Sequence, residues 1–177
     1  MEIAYRNGYP TQWLEDNGLK LEPNTHSQSF PDFTADIGGV KYDMEVKCWN
    51  YENPPAFDIS NFDGFYREIF NNPAKLYAKY LIFAYKPTTH GFVIENIYLK
   101  NLWDITGKGG KYPVGLQVKQ GRPFAIRPIP FHRSPKRAFG SIEEFVRAIF
   151  ETRKIFELTG ATEPNLWLKT VLEAISR

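Results

Sequence analysis

The sequence contains two carboxylates and one lysine, Asp32, Glu45 and Lys47, at a spacing that suits metal-assisted catalysis. Two runs of alternating apolar and polar residues flank Gly38-Gly39, a dipeptide suited to a two-residue hairpin turn. A hairpin turning there sets Asp32 directly opposite Glu45, with their Cβ atoms about 5 Å apart. Lys47 then lies one pleat further along the same face. Carboxylates this close repel each other, and Mg²⁺, which prefers hard oxygen ligands, would relieve the repulsion.

The chemistry expected of this set is hydrolysis of a phosphodiester. A metal ion held by Asp32 and Glu45 could polarise a phosphate and lower the pKa of an attacking water. Lys47 could hold or deprotonate that water. The alternative interpretation is an ordinary solvent-exposed hairpin with mixed charges. Asp36 remains an alternative to Asp32 as the first metal ligand, because it lies on the same face. Glu15, on a predicted first helix, could supply a further acid, although a solvated polar face of that helix is the better interpretation.

The same hairpin register separates apolar from polar residues on its two faces. One face carries Phe33, Ala35, Ile37, Val40, Tyr42, Met44, Val46 and Cys48. The other carries Asp32, Thr34, Asp36, Lys41, Asp43, Glu45 and Lys47. We therefore expect one face of the hairpin to pack on a core and the other to carry the chemistry.

A second feature is a long segment without acids, from Ile105 to Ile142. Its basic residues are Lys108, Lys111, Lys119, Arg122, Arg127, Arg133, Lys136 and Arg137. Such one-sided charge favours a surface for a polyanion, although a solvated basic face is the plain alternative. Arginine can pair with guanine O6 and N7, so Arg122, Arg127 and Arg133 are the expected base readers. Lys108, Lys111, Lys136 and Arg137 are expected to contact phosphates.

Length and composition restrict the class of protein. At 177 residues and 20.5 kDa, we expect a single domain over residues 1–177. The one cysteine, Cys48, excludes an intramolecular disulfide and a CxxC zinc site. No apolar run approaches the ~20 residues of a membrane span. Because the N-terminal residues also lack the layout of a signal peptide, a cytoplasmic location is the expectation.

The periodicity along the chain predicts an α/β fold with a central mixed sheet flanked by helices. Besides the hairpin, the predicted elements are a helix over Thr11–Asp16, a helix over Asp58–Phe70, a buried strand over Tyr80–Tyr85, a strand over Phe92–Leu99, a short helix or turn over Asn101–Thr106, two short strands within Val114–Ile129, a helix from the capping box Ser141–Glu144 to about Phe156, and a helix over Pro164–Ile175.

Pro31-Asp32 followed by Glu45-Val46-Lys47 resembles the signature of the PD-(D/E)XK nuclease superfamily. The resemblance extends to other segments, among them HSQSFPDF, MEVKCWNYENPPAFDISNF, AKYLIFAY, NIYLKNLWDITG and FGSIEEFVRAIFETRK. Together these segments resemble type II restriction endonucleases of the NgoBV and NlaIV family.

The resemblance implies a restriction-endonuclease-like fold and Mg²⁺-dependent cleavage of double-stranded DNA at a short palindrome, with GGNNCC the site associated with the family. It implies metal binding by Asp32, Glu45 and the backbone carbonyl of Val46, with Lys47 assisting catalysis. A palindromic site further implies a two-fold homodimer. The rival functions are a structure-specific repair or recombination nuclease of the same superfamily and a nucleic-acid-binding domain without catalysis.

Overall fold

The computed structural model describes Asp16 and residues 20–23, 30–133, 137–156 and 164–176. Apart from Asp16, which is helical, the helix predicted over Thr11–Asp16 lies outside these residues, as do Glu15 and Lys136. The strands are β1 (Lys20–Pro23), β2 (Phe33–Ile37), β3 (Val40–Asn50), β4 (Ser60–Asn61), β5 (Lys79–Thr88), β6 (Gly91–Asn101), β7 (Leu116–Lys119) and β8 (Arg122–Ile126). The helices are α1 (Phe62–Asn71), α2 (Leu102–Ile105), α3 (Ile142–Ile155) and α4 (Pro164–Ile175), with a 3-10 helix at Pro73–Tyr77.

The larger sheet has five strands in the order β1-β2-β3-β5-β6. It is mixed, because β3 and β5 are parallel while the other neighbours are antiparallel. Parallel neighbours need a crossover, and α1 with the 3-10 helix supplies it. A smaller sheet, β4-β8-β7, is connected to this crossover through β4. The predicted α/β fold with a central mixed sheet is thus confirmed.

Apolar side chains cover both faces of the larger sheet. On one face Trp49, Tyr80 and Ile82 belong to the main core, which includes residues of all four helices. There Trp167 stacks on Tyr66 with ring centroids 4.2 Å apart and donates its Nε1–H to the Tyr66 carbonyl at 2.8 Å. The opposite face has a smaller cluster of Phe33, Ala35, Met44 and Leu81. No helix in the described ranges is long and apolar enough to span a membrane.

Two predicted boundaries were wrong. The first helix after the hairpin begins at Phe62 and not at Asp58, because Ile59 donates its N–H to the Ile126 carbonyl at 2.9 Å and Asn61 caps the helix. The strand predicted over Tyr80–Tyr85 continues to Thr88. β1, which lies in a polar stretch without strand periodicity, was not predicted and pairs with β2.

The helix opened by Ser141 has half of its predicted capping box. Ser141 Oγ accepts from the Glu144 N–H at 3.1 Å, as predicted. The Glu144 carboxylate, however, accepts from the Gly140 N–H at 2.7 Å, one residue earlier than the motif requires. The described part of α4 spans Pro164–Ile175, as predicted.

Candidate active site

The predicted hairpin register is confirmed over the whole of β2. Phe33 pairs with Met44 and Ile37 with Val40, so that the turn falls at Gly38-Gly39. Both glycines have positive φ, 62° and 84°, which is why residues without a Cβ suit this two-residue turn. Because the register is fixed in this way, the side-chain face of every later residue in β3 follows.

Asp32 lies just before β2 and attaches to β3 through its side chain. Pro31, which the register continued beyond β2 places opposite Val46, has no N–H and therefore cannot donate to the Val46 carbonyl. The Val46 N–H donates to the side chain of Asp32, at Oδ2, over 2.7 Å. Since the N–H and C=O of one strand residue point to the same side, the Val46 carbonyl also faces the side on which Asp32 lies.

Glu45 and Lys47 lie on the face of β3 that packs against the helices. Their neighbours in β5 are Tyr80 and Ile82, both fully buried. Lys47 Nζ donates to Glu45 Oε1 at 2.6 Å, and the two side chains are only 22% and 12% exposed. This is the face predicted to be polar, and the main core surrounds the two residues on it.

A cleft of about 360 Å³ brings the three predicted residues together. Its lining residues are Phe30, Asp32, Glu45, Lys47, Asp58, Ile59, Ser60, Asn61, Gly64, Phe65 and Glu68. One side is therefore formed by the β2–β3 hairpin and the other by α1 and the segment that leads into it. Glu68, on α1, was not singled out from the sequence. Its position one turn before the end of an amphipathic helix gave no signal of a cleft.

The electrostatic environment of the cleft is dominated by partly buried negative charge. Burial raises the pKa of Glu45; Lys47 opposes that shift and the Asp32 carboxylate adds to it. Burial also raises the pKa of Tyr80 well above its ordinary value, with further contributions from Glu45, Asp32 and Glu68. The Tyr80 hydroxyl is buried with no hydrogen-bond partner in the described structure. Three of the four carboxylates in the cleft have a cationic partner: Lys47 pairs with Glu45, Lys75 with Glu68 at 3.1 Å, and Arg127 with Asp58. Asp32 forms no ion pair within the described residues, so negative charge remains beside it for a bound cation.

The donor set fits a small hard cation. No group of three His, Cys, Asp or Glu side chains within the described ranges is arranged to hold a metal. Two carboxylates with a backbone carbonyl make a smaller set, and Mg²⁺ commonly binds through one or two carboxylates while keeping waters for substrate to displace. Asp32 Oδ2 accepts from the Val46 N–H and Glu45 Oε1 from Lys47, and the Glu45 carboxylate also has a hydrogen bond from the Asp32 backbone, so the two carboxylates are held next to each other.

The alternative acids on the hairpin have other roles. Asp36 Oδ1 accepts from the Gly39 N–H at 2.9 Å and so stabilises the turn. Asp43 accepts from the Thr34 hydroxyl at 3.3 Å. Neither lines the cleft. The geometry therefore favours Asp32 over Asp36 as the first carboxylate.

The acid-free segment reaches the cleft through the smaller sheet. Ser60 and Asn61 of β4 line the cleft and pair with β8, and Asn61 also donates to the Phe124 carbonyl at 3.1 Å. The β7–β8 hairpin, with Lys119 and Arg122, is therefore attached beside the cleft, and Arg127 contacts Asp58 of the cleft lining. Lys119, in this hairpin, lies 3.4 Å from the centroid of the Phe124 ring.

Three of the basic residues form ion pairs with acids from other parts of the chain. Lys108 pairs with Glu144 at 2.6 Å, Arg137 with Asp104 at 2.9 Å, and Arg127 with Asp58. Arg127 also donates to the Ala56 carbonyl at 2.5 Å. The sequence could not show these partners, because each acid lies outside the segment. Lys111, Lys119, Arg122 and Arg133 are exposed.

The chain is similar to restriction enzymes over nearly all of its length. The model of the NgoBV restriction endonuclease family matches residues 7–177. The type II restriction enzyme NlaIV of Neisseria lactamica is 33% identical over 172 residues, which are 93% of this chain and 70% of that enzyme. The type II restriction enzyme NgoBV of Neisseria gonorrhoeae is 27% identical over 110 residues, 61% of this chain and 62% of that enzyme.

A solved structure shares the fold. The NlaIV restriction endonuclease superposes with a TM-score of 0.81 at 30% sequence identity, over 95% of this chain and 70% of that one. The sequence and structure comparisons therefore agree on the same group of proteins.

Proposed function

The chain belongs to the NgoBV restriction endonuclease family and is a site-specific deoxyribonuclease of type II, and from this premise we propose that it hydrolyses double-stranded DNA with Mg²⁺ at the cleft of Asp32, Glu45 and Lys47. The observation that carries the proposal is the hydrogen bond from the Val46 N–H to Asp32, which attaches the first carboxylate to the strand that carries the other two residues.

Each residue has a role that follows from its contacts. Asp32, Glu45 and the Val46 carbonyl would hold the ion, which when bound supplies charge to polarise the scissile phosphate and acidify a water. Lys47, next to Glu45 and only partly exposed, would hold the attacking water through an ammonium N–H, and could take its proton only after giving up one of its own. The apolar wall of Phe30, Ile59 and Phe65 limits how much other water enters the cleft. The products would carry 5′-phosphate and 3′-hydroxyl ends.

The DNA is proposed to lie across the acid-free segment. Exposed Lys111 and Lys119 suit phosphate contacts, and Arg122, at the β7–β8 turn, suits a base contact. The finer parts of the proposal are GGNNCC as the recognition site, a homodimer, one endonuclease domain over residues 1–177 and a cytoplasmic location, where substrate DNA would be met.

Digestion of plasmid DNA tests this function. With Mg²⁺ the protein should produce discrete bands, and sequencing the ends should return one short palindrome. Excess chelator should abolish cutting, and Ca²⁺, a larger ion with looser geometry, should permit binding without turnover. Robust cleavage in chelator would contradict the metal mechanism.

The same digestion separates the rival functions. A structure-specific nuclease would cut branched or flapped DNA and leave linear duplex without discrete bands. A binding domain without catalysis would retard DNA in a gel and cut none of these substrates under any metal.

A further inference from the structure

β6 is the last strand at one edge of the larger sheet. It is the last strand in the order β1-β2-β3-β5-β6, and no strand in the described ranges pairs with its outer side. At 11 residues it is roughly 35 Å long. An edge of this length presents a row of backbone N–H and C=O groups that can extend the sheet with another strand.

The side chains of β6 are unusually apolar for an exposed edge. Its exposed large hydrophobic residues are Phe92 (47%), Val93 (55%), Ile94 (39%), Ile97 (51%) and Leu99 (55%). Edge strands are commonly protected by prolines, several charges or a β-bulge. β6 has no proline and only one acid and one base, Glu95 and Lys100, and its bulge at Glu95 lies before the regular segment 96–101. Phe92, Ile94, Ile97 and Leu99 lie on the face of the smaller cluster, whereas Val93 lies on the other face. An apolar row of this kind is typical of an interaction surface.

We propose that this edge binds a second copy of the chain, with the two β6 strands antiparallel about a two-fold axis at Tyr98. The inference rests on the proposed function, since cutting both strands of one duplex needs two active sites. The axis stands perpendicular to the sheet, so that five strands from each copy form one continuous sheet.

Self-complementary side chains favour this register. A perpendicular two-fold axis keeps each side chain on its own face, and an axis at Tyr98 sets Ile97 opposite Leu99 of the second copy, twice by symmetry. Ile97 and Leu99 pair with Phe83 and Leu81 within the chain, so this contact continues the apolar face of the smaller cluster.

The charges of the strand are complementary in the same register. Lys100 falls opposite Asn96 of the second copy, next to Glu95 of that copy. Glu95 pairs with Lys86 at 3.0 Å, and Lys86 and Lys100 lie on the same face of the sheet, so Glu95 and Lys100 meet on one face. A parallel arrangement would instead set like charges side by side.

The register also places the two active sites together. Lys47 pairs with Ile82, and Ile82 pairs with Tyr98, so Lys47 lies straight across the sheet from the axis. The two clefts would lie at one level, on one face, five strand spacings or roughly 24 Å apart. Packing the sheets face to face through the apolar side would point the clefts in opposite directions, away from a common duplex.

Sedimentation of the full chain over a range of concentrations, compared with Ile97→Lys, tests the surface. Wild type should dimerise, and the variant should raise the dimer dissociation constant at least about tenfold, because the charges meet near the axis without partners. Leu166→Lys, on an equally exposed apolar position of α4 (49%), is the matched control and should dimerise normally. A monomeric wild type, or a variant that dimerises as wild type, overturns the proposal.

A charge exchange distinguishes a second copy from any other occupant. Lys100→Glu and Glu95→Lys should each weaken the dimer a few-fold, and the double variant should restore it, since only self-pairing along β6 makes the two changes compensate. Failure of the double variant to recover overturns the antiparallel register.

Plasmid cleavage keeps this inference separate from the proposed function. Ile97→Lys retains a complete cleft, so it should still nick supercoiled plasmid while losing concerted cutting of both strands. Concerted cutting by a monomeric variant overturns the interface. If wild type cuts no DNA yet sediments as a β6-dependent dimer, the function fails and the surface stands.

Discussion

The β2–β3 hairpin and the acid-free segment differ in how well sequence spacing predicts the positions of their side chains in the structure. In the hairpin the register is local, so the positions of Asp32, Glu45 and Lys47 follow from a two-residue turn. In the segment from Ile105 to Ile142 three cations are paired with acids from elsewhere in the chain. Side-chain alternation in a hairpin therefore predicts which side chains lie together. A run of like charges in the sequence does not predict which of them stay unpaired in the fold.

The largest expected effect lies in the hairpin. Alanine at Asp32, Glu45 or Lys47 should reduce cleavage by at least about 10³-fold, because each removes a charged group at the reacting phosphate. The variants should remain folded, since none of the three is part of either apolar cluster. Rates of plasmid cleavage, with circular dichroism as a check of folding, measure both.

Asp43→Ala is the matched control for these variants. Asp43 lies on the same strand face two residues before Glu45 but accepts from Thr34 and lies outside the cleft. It should keep cleavage within a few-fold of wild type. Equal loss in the control and in Glu45→Ala would show that the charge of the face matters and the cleft does not.

The elements that the sequence predicted are those with local signals. Alternation specified the hairpin, and helical periodicity with a capping serine specified α3, within a residue at each end. β1 was missed because its pairing with β2 is a tertiary contact on a polar stretch. Glu68 was missed for a similar reason, since only the packing of α1 beside β3 brings it to the cleft.

The next effect compares two arginines that the sequence treated alike. Arg122 is exposed at the β7–β8 turn, whereas Arg127 is held by Asp58 and the Ala56 carbonyl. Arg122→Ala should cost roughly 1–3 kcal/mol of binding at the cognate site and little on random DNA. Arg127→Ala should instead slow cleavage, because Asp58 lines the cleft. The measurements are the binding affinity and the cleavage rate of each variant on the cognate and on a random duplex. Equal changes in the two variants would contradict the prediction.

A smaller effect concerns stability without metal. Burial raises the pKa of Glu45, so its protonated form favours folding, and this stabilisation is lost as pH rises through the raised pKa. Glu45→Gln should therefore raise the Tm in chelator at neutral pH, and the gain should vanish below pH 4.5, the ordinary value. Thermal melts across pH measure it, and a Tm lower than wild type at neutral pH would contradict it.

The smallest expected effect separates paired from exposed lysines in the acid-free segment. Lys111 is exposed, while Lys108 is paired with Glu144 at 2.6 Å. A lysine that neutralises a phosphate releases condensed counterions, so Lys111→Ala should lower the slope of log affinity against log salt by about 0.9. Lys108→Ala should lower the slope less, because Glu144 competes with the phosphate for the same ammonium.

Glu144→Gln, in an otherwise wild-type chain, should leave Lys108 available to the DNA and steepen the slope. Titrations of one random duplex at several salt concentrations measure all three, and equal slopes would mean that the ion pair does not persist beside DNA.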